Sequence, residues 1–168
     1  RAMAAALAFA QAEGRMLYPD ANGSLRLTFG KVTGKAVDGM VWTAFTTAPG
    51  LVAKQRGRGE FNAPAKAVDL LKAGDFGARA DAVLGTLPVN FLSTVDITNG
   101  NSGSSTLNAR GEFVGLAFDG TLDGVVSDWS FDARINRTIH VDARFMLWTM
   151  ERVDGASRLL AEMGVEPR

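Results

Sequence analysis

The chain has no cysteine, a single histidine and no excess of charge of either sign. Without cysteine there is no disulfide framework and no thiolate nucleophile, and thiol usage says nothing about redox compartment. A lone histidine without a second His or Cys is a poor start for a metal site, so no metal or cofactor is expected. Lys+Arg and Asp+Glu both count 18 in 168 residues. That balance argues against a nucleic-acid binder, which carries a basic excess. No stretch of 18 apolar residues occurs, so no membrane insertion is predicted. What the chain does have is 46% apolar residues, enough for a core. Its length suits one domain, or one domain with an appendage. It opens on "RAMAAALAFAQAEG", which reads as mid-helix and carries neither an initiating Met nor a signal peptide. The expectation is a segment of a longer protein.

Local patterning predicts short strands with a helix at each end. Residues 2–13 are alanine-rich and stop at Gly14, a helix with a glycine cap. "SLRLTFGKV" (24–32) alternates Leu25, Leu27 and Phe29 with polar residues, the period of a half-buried strand. "MVWTAFTT" (40–47) reads as its partner, and "LVAKQRGRGEFN" as a surface loop. "PAKAVDLLKAG" (64–74) has proline early and glycine late, a short helix. "LPVNFLSTVD" (87–96) and "RTIHV" (137–141) read as strands. "SSTLNARGEFVGLAFDG" (104–120) reads as a hairpin turning at Asn-Ala-Arg-Gly. Residues 142–164 form one predicted helix capped by Asp142 and Gly164, with Met146, Met150, Val153, Ala156, Leu160 and Met163 on one face. The pattern suggests a mostly β fold, an antiparallel barrel with a packed C-terminal helix.

"DITNGNSGSS" (96–105) is the stretch that carries chemistry. Small polar residues before a hairpin make turns, and that is one reading. The other is that Ser102 is a nucleophile. A serine hydroxyl needs a base to take its proton and donors to hold the oxyanion. In the chymotrypsin arrangement the donors are the amides of the serine and of the glycine two residues earlier, and Gly100 occupies that position. In that arrangement the strand after the hairpin pairs with substrate. Here that strand holds "AFDG" (117–120), with Trp129 and Phe131 as candidates to pack beside it.

Three blocks, "LYPDANGSLRLTFGKV", "DITNGNSGSSTLNARGEFVGLAFDG" and "RTIHVDARFML", resemble the C-terminal part of the dipeptidyl-peptidase 7 and 11 family of bacterial serine exopeptidases. The resemblance implies a chymotrypsin-like double barrel with an inserted helical domain. Residues 1–16 would end that insertion, and residues 17–168 would form the second barrel with its terminal helix. It implies Ser102 as nucleophile and Gly100 as oxyanion-hole glycine. Asp119 would hold the α-amine of the substrate, and Gly120 would sit where the family sets preference before the scissile bond. Arg there goes with acidic substrates and Gly with uncharged or hydrophobic ones. It further implies peptide substrates, a homodimeric parent, a periplasmic or cell-surface location in a Gram-negative bacterium, and an upstream His and Asp completing the triad. The segment alone is then expected to be inactive. Two positions depart from the family's "TGGNSGSP": Asn99 replaces the first Gly and Ser105 the Pro. Asn tolerates positive φ, which would keep the loop shape.

Alternatives remain open at this level. An endopeptidase of the same fold would leave Asp119 structural, and a silent homologue would bind peptide ends without cutting. His140 reads as a strand histidine at the barrel edge rather than as general base. Asp96, six residues before Ser102, has the spacing of the trypsin pocket aspartate, but a turn acid bonding nearby amides is the preferred reading. The acids of "DGVVSDWSFD" (123–132) lack the spacing of a calcium loop and read as solvated.

Overall fold

The computed structural model describes residues 2–15, 20–128 and 130–165. Part of the "LYPD" block and Trp129 lie outside these. The centre of the fold is a five-stranded antiparallel sheet of β3 (Phe45–Thr47), β4 (Pro88–Ser93), β7 (Thr138–Asp142), β6 (Phe113–Gly120) and β5 (Ser105–Leu107), in that order. A separate hairpin pairs β1 (Lys35–Val37) with β2 (Met40–Trp42). Its turn is Asp38-Gly39, both at positive φ, the backbone that a tight two-residue hairpin requires. Buried Lys35 returns from this hairpin to bond Asp123, with its ammonium 4.7 Å from the Trp42 ring.

Helix α1 (Ala2–Ala12) ends at Gly14 as expected. Helix α2 (Ala48–Lys54) follows β3 directly, with Pro49 in its first turn, where proline gives up no bonded N–H. Helix α3 (Ala65–Ala73) turns Ala67, Val68 and Leu71 inward and ends at a left-handed Gly74. Helix α4 (Ala143–Trp148) starts at Asp142, whose side chain accepts from the Arg144 amide at 2.9 Å. Ala48, Ala67, Leu71, Leu87 and Trp148 form the buried cluster that joins α2, α3 and α4.

Trp148 is the keystone of that cluster. It is fully buried, stacks on Phe145 at 5.6 Å and donates its indole N–H to the Asp75 carbonyl at 2.8 Å. Trp148→Ala leaves a cavity and an unpaired carbonyl, so it is expected to destabilise the fold by about 4 kcal/mol. Urea denaturation measures this directly, and a loss below about 1 kcal/mol would place the core elsewhere.

Four expectations are corrected. The fold is mixed helix and sheet rather than mostly β, and among the described residues the sheet is open, not a closed barrel. The reason is the 24–32 segment. Among the described residues it meets the sheet end at the Val32–Ser93 bridge and through bonds between Lys31 and Thr94, with the following Thr33 bonded to Leu92. Leu25, Leu27 and Phe29 are 90%, 86% and 93% exposed. The alternation is real, yet no described element covers its apolar face. Second, 40–47 splits: Met40–Trp42 pairs with 35–37, and Phe45–Thr47 joins β4. Third, the supposed loop after Ala48 begins as helix α2. Fourth, the long C-terminal helix is broken. Residues Thr149–Val153 widen into a π turn, Gly155 is left-handed, and α5 (Ser157–Glu162) restarts the helix. Consequently Met163 is exposed, and Leu160 and Trp148 are the buried anchors. Among the described residues no helix is long and apolar enough to cross a membrane.

Candidate active site

The loop between β4 and β5 is built by backbone geometry. Gly100 and Gly103 both have φ of +89°, a region that side-chain-bearing residues rarely adopt. A Cβ at Gly100 would also lie 2.9 Å from that of Ala21. Asn101 closes the turn by accepting the Thr98 amide on its side chain at 2.9 Å and the Ser104 amide on its carbonyl at 2.9 Å. The Asn99 carbonyl accepts from Ala21 N–H at 2.8 Å. Asn99 is not at positive φ, so the tolerance expected of it is not used. Ser105 simply begins β5.

The loop is docked on β6. Gly103 N–H donates to the Ala117 carbonyl at 2.7 Å, and Ala117 N–H donates to the Ser104 carbonyl at 2.9 Å. Ser102 is exposed, and its hydroxyl donates to the Phe118 carbonyl at 3.2 Å. Among the described residues, neither the Gly100 nor the Ser102 amide donates to a protein acceptor. Strand β5 covers β6 only as far as Leu116. Beyond a bulge at Phe118, Asp119 and Gly120 pair with Ile139 and Thr138 of β7 on one side. The Ser102 hydroxyl thus sits against Phe118, the residue that precedes Asp119 and Gly120 on β6. Asp119 is exposed and accepts the Gly120 amide at 2.8 Å. A Cβ on Gly120 would have its nearest neighbour 3.9 Å away.

Beneath Gly120 lies a small cavity of about 20 Å³ walled by Asp96, Phe131, Asn136 and Arg137. Arg137 is held by carbonyls, with Gly34, Ala133 and Asn136 accepting at 2.6–2.9 Å. Burial, reinforced by the Asp128 charge, pushes the Asp96 carboxyl up to about 6, and a bond from the Ile97 backbone opposes this. That bond is what remains of the turn-acid reading. A much larger cavity of about 1540 Å³, between the sheet and residues 24–32, includes Asn101 and Ser104 in its walls but not Ser102. The Ser102 side of the loop therefore lies outside this deeper cavity. Of the acids at 123–132, Asp123 bonds Lys35 and Asp132 bonds Arg134, so neither is simply solvated.

His140 is not at a sheet edge, as expected from sequence, but on β7 in the middle, and it is 1% exposed. Both ring nitrogens are engaged, Nε2 with Ser93 Oγ at 2.7 Å and Nδ1 with Thr106 Oγ1 at 2.8 Å. No bond joins it to Ser102, so it is no base for that hydroxyl. Sequence reading passed over this network. The signal was a strand whose inward positions, Thr138, His140 and Asp142, are all polar.

Buried His140 and half-buried Asp96 oppose each other in pH dependence. Burial pushes His140 from 6.5 down to about 4. The unfolded chain then binds a proton that the fold refuses, so stability falls as pH drops from about 6.5 to 4, by about 3 kcal/mol. The fold holds the Asp96 proton up to about pH 6, so that group lowers stability as pH rises from about 4 to 6. Asp96→Asn removes the second effect. Its stability is expected to rise more steeply with pH across this window than that of the wild type, as denaturation midpoints would show. Parallel curves would contradict the assignment.

Comparison with known proteins fits this geometry. The peptidase S46 profile matches residues 1–165. The chain belongs to the peptidase S46 family. It is 39% identical over 183 residues to an Asp/Glu-specific dipeptidyl-peptidase of Shewanella putrefaciens, covering 96% of this chain and 25% of the relative. It is 41% identical over 155 residues to a dipeptidyl-peptidase 7 of Capnocytophaga gingivalis, covering 89% and 22%. The fold superposes with TM-score 0.83 on Porphyromonas endodontalis DPP11 in complex with the dipeptide Arg-Glu, at 33% identity over 96% of this chain and 23% of that one. The chain therefore spans about a quarter of the length of the S46 relatives that it matches.

Proposed function

We propose that this chain carries the nucleophile and the substrate-end contacts of a serine dipeptidyl aminopeptidase, completed by the rest of the parent protein. The observation that carries this is the docking of exposed Ser102 onto the Phe118 carbonyl of β6, one residue before Asp119, with the Gly100 and Ser102 N–H groups donating to no protein acceptor among the described residues. Ser102 Oγ attacks the carbonyl of the second residue. Its proton passes to a histidine outside this segment, oriented by an aspartate also outside it. The oxygen that gains the negative charge is held by the two amides, each such donor lowering the barrier by about 3 kcal/mol. Collapse of the tetrahedral intermediate breaks the peptide bond, and the histidine returns the proton to the leaving amine. The dipeptide remains on Ser102 as an ester until water hydrolyses it.

Asp119 counts the two residues. Its carboxylate takes the protonated α-amine, while one of its oxygens is already steadied by the Gly120 amide. Gly120 sets the preference: without a side chain there, the pocket takes an uncharged or hydrophobic residue. This rests on Gly120 alone. Two relatives named Asp/Glu-specific are 39% and 40% identical and one named dipeptidyl-peptidase 7 is 41% identical, so overall similarity does not support it. The parent is read as a periplasmic or cell-surface homodimer, and the segment by itself as inert.

The test is a panel of free dipeptide substrates ending in Leu, Lys or Asp, given to the full-length protein and to Gly120→Arg. The wild type is expected to prefer Leu, and the variant to move toward Asp by at least tenfold, the scale of one charged hydrogen bond. A wild type that prefers Asp would remove Gly120 as the determinant. A preference for Lys would give that role to Asp96.

A further inference from the structure

Buried Ser93, buried His140 and half-buried Thr106 are joined side chain to side chain across the sheet, from β4 through β7 to β5. We propose that His140 is a positioning residue for Ser102, acting through Thr106. This deepens the peptidase reading and rests on it for its catalytic consequence.

Besides the Ala21–Asn99 and Ser102–Phe118 bonds, the Ser102 loop is anchored in two further ways. One is the pair of backbone bonds to Ala117, which lies opposite His140 in the β6–β7 register. The other must come from β5, the strand that leaves the loop. That strand has only three residues, pairs on one side only, and its register shifts after Thr106. Among the described residues, the Thr106–His140 bond is the one side-chain tie from β5 into the sheet. Its path runs over β6, where the intervening residues are Gly115 and Ala117. A Cβ at Gly115 would come within 2.3 Å of the Val141 carbonyl and 3.0 Å of the Phe91 ring. Gly115 is therefore held as glycine by the close approach of β7 and of the Phe91 ring on which His140 stacks.

The imidazole cannot swing. It stacks on Phe91 at 4.6 Å with the planes 6° apart, and it is bonded at both nitrogens. Ser93 Oγ also accepts the Val95 amide at 3.2 Å. Each hydroxyl can donate to or accept from a ring nitrogen, so the ring is tied at both ends in either neutral tautomer. Burial keeps the ring neutral. Thr106 stands four residues after Ser102, so slack in β5 is passed to the loop. Small misplacements of reacting groups lower rates steeply.

The test uses the full-length protein with Thr106→Val, Thr106→Ser and His140→Phe. Val is isosteric and removes only the tie; Phe keeps the ring stack and removes both bonds. Thr106→Val is expected to lower kcat roughly tenfold or more, with KM within about twofold. Hydrogen exchange of the 101–105 amides should be faster in both tie-breaking variants, and Thr106→Ser should restore both readouts. Wild-type kcat and exchange in Thr106→Val would overturn the proposal, as would failure of Thr106→Ser to restore them. If the wild type hydrolyses no dipeptide substrate, the peptidase reading fails separately. Exchange then decides the positioning role alone, faster supporting it and unchanged refuting it.

Discussion

Ser102→Ala in the full-length protein is expected to lower kcat by about 10⁶-fold, the loss seen when a serine peptidase gives up its nucleophile. The fold should not notice. Ser102 is exposed, and its hydroxyl makes one surface bond, to the Phe118 carbonyl. Surface changes of this kind stay within about 0.5 kcal/mol. The loop takes its shape from Gly100, Asn101 and Gly103 and from the backbone bonds to Ala117, none of which the change touches. The variant should therefore still bind peptide N-termini, because Asp119 remains. Residual turnover within a hundredfold of wild type would mean that another group attacks the carbonyl. A serine-directed covalent probe gives an independent check, labelling wild type and sparing the variant.

Asp119→Asn is expected to lower kcat/KM for free peptides by about 10- to 100-fold, the worth of a hydrogen bond to a charged group. Asparagine keeps an oxygen for the Gly120 amide, so the bulge should hold, but it has no charge for the α-amine. N-acetylated substrates, poor from the start, should be unaffected. The pH profile adds a signature. The α-amine loses its proton near pH 8, so wild-type kcat/KM should fall above that pH. The variant should not share this fall. Equal losses on free and acetylated substrates would make Asp119 a structural residue of β6.

Much of this site could be read from local chemistry. The turn residues around Ser102, the 104–120 hairpin, helix 64–74 and the Asp142 cap all depend on neighbours within a few residues, and they appear where the pattern places them. What failed depended on distant partners. Alternation in 24–32 marks a face that wants cover, but it cannot say whether cover is at hand, and here Leu25, Leu27 and Phe29 face water. The hairpin at 35–42 won its pairing through Asp38-Gly39, a tighter turn than the one that a 24–32 partner would need. The C-terminal periodicity ran on through Gly155, where the backbone leaves the helix. His140 was misplaced because composition says a histidine is polar, whereas two hydroxyls 47 and 34 residues away make it a core residue.

The central claim is that Ser102 cuts two residues from a free N-terminus. The direct measurement is kcat/KM of the full-length protein on one fluorogenic dipeptide with a free and with an acetylated amine, in wild type and Ser102→Ala. The account predicts cleavage of the free substrate only, abolished by the substitution. Equal cleavage of the acetylated substrate would contradict it and make the protein an endopeptidase. No cleavage of either, with Ser102 unreactive to the covalent probe, would make it a binder of peptide ends.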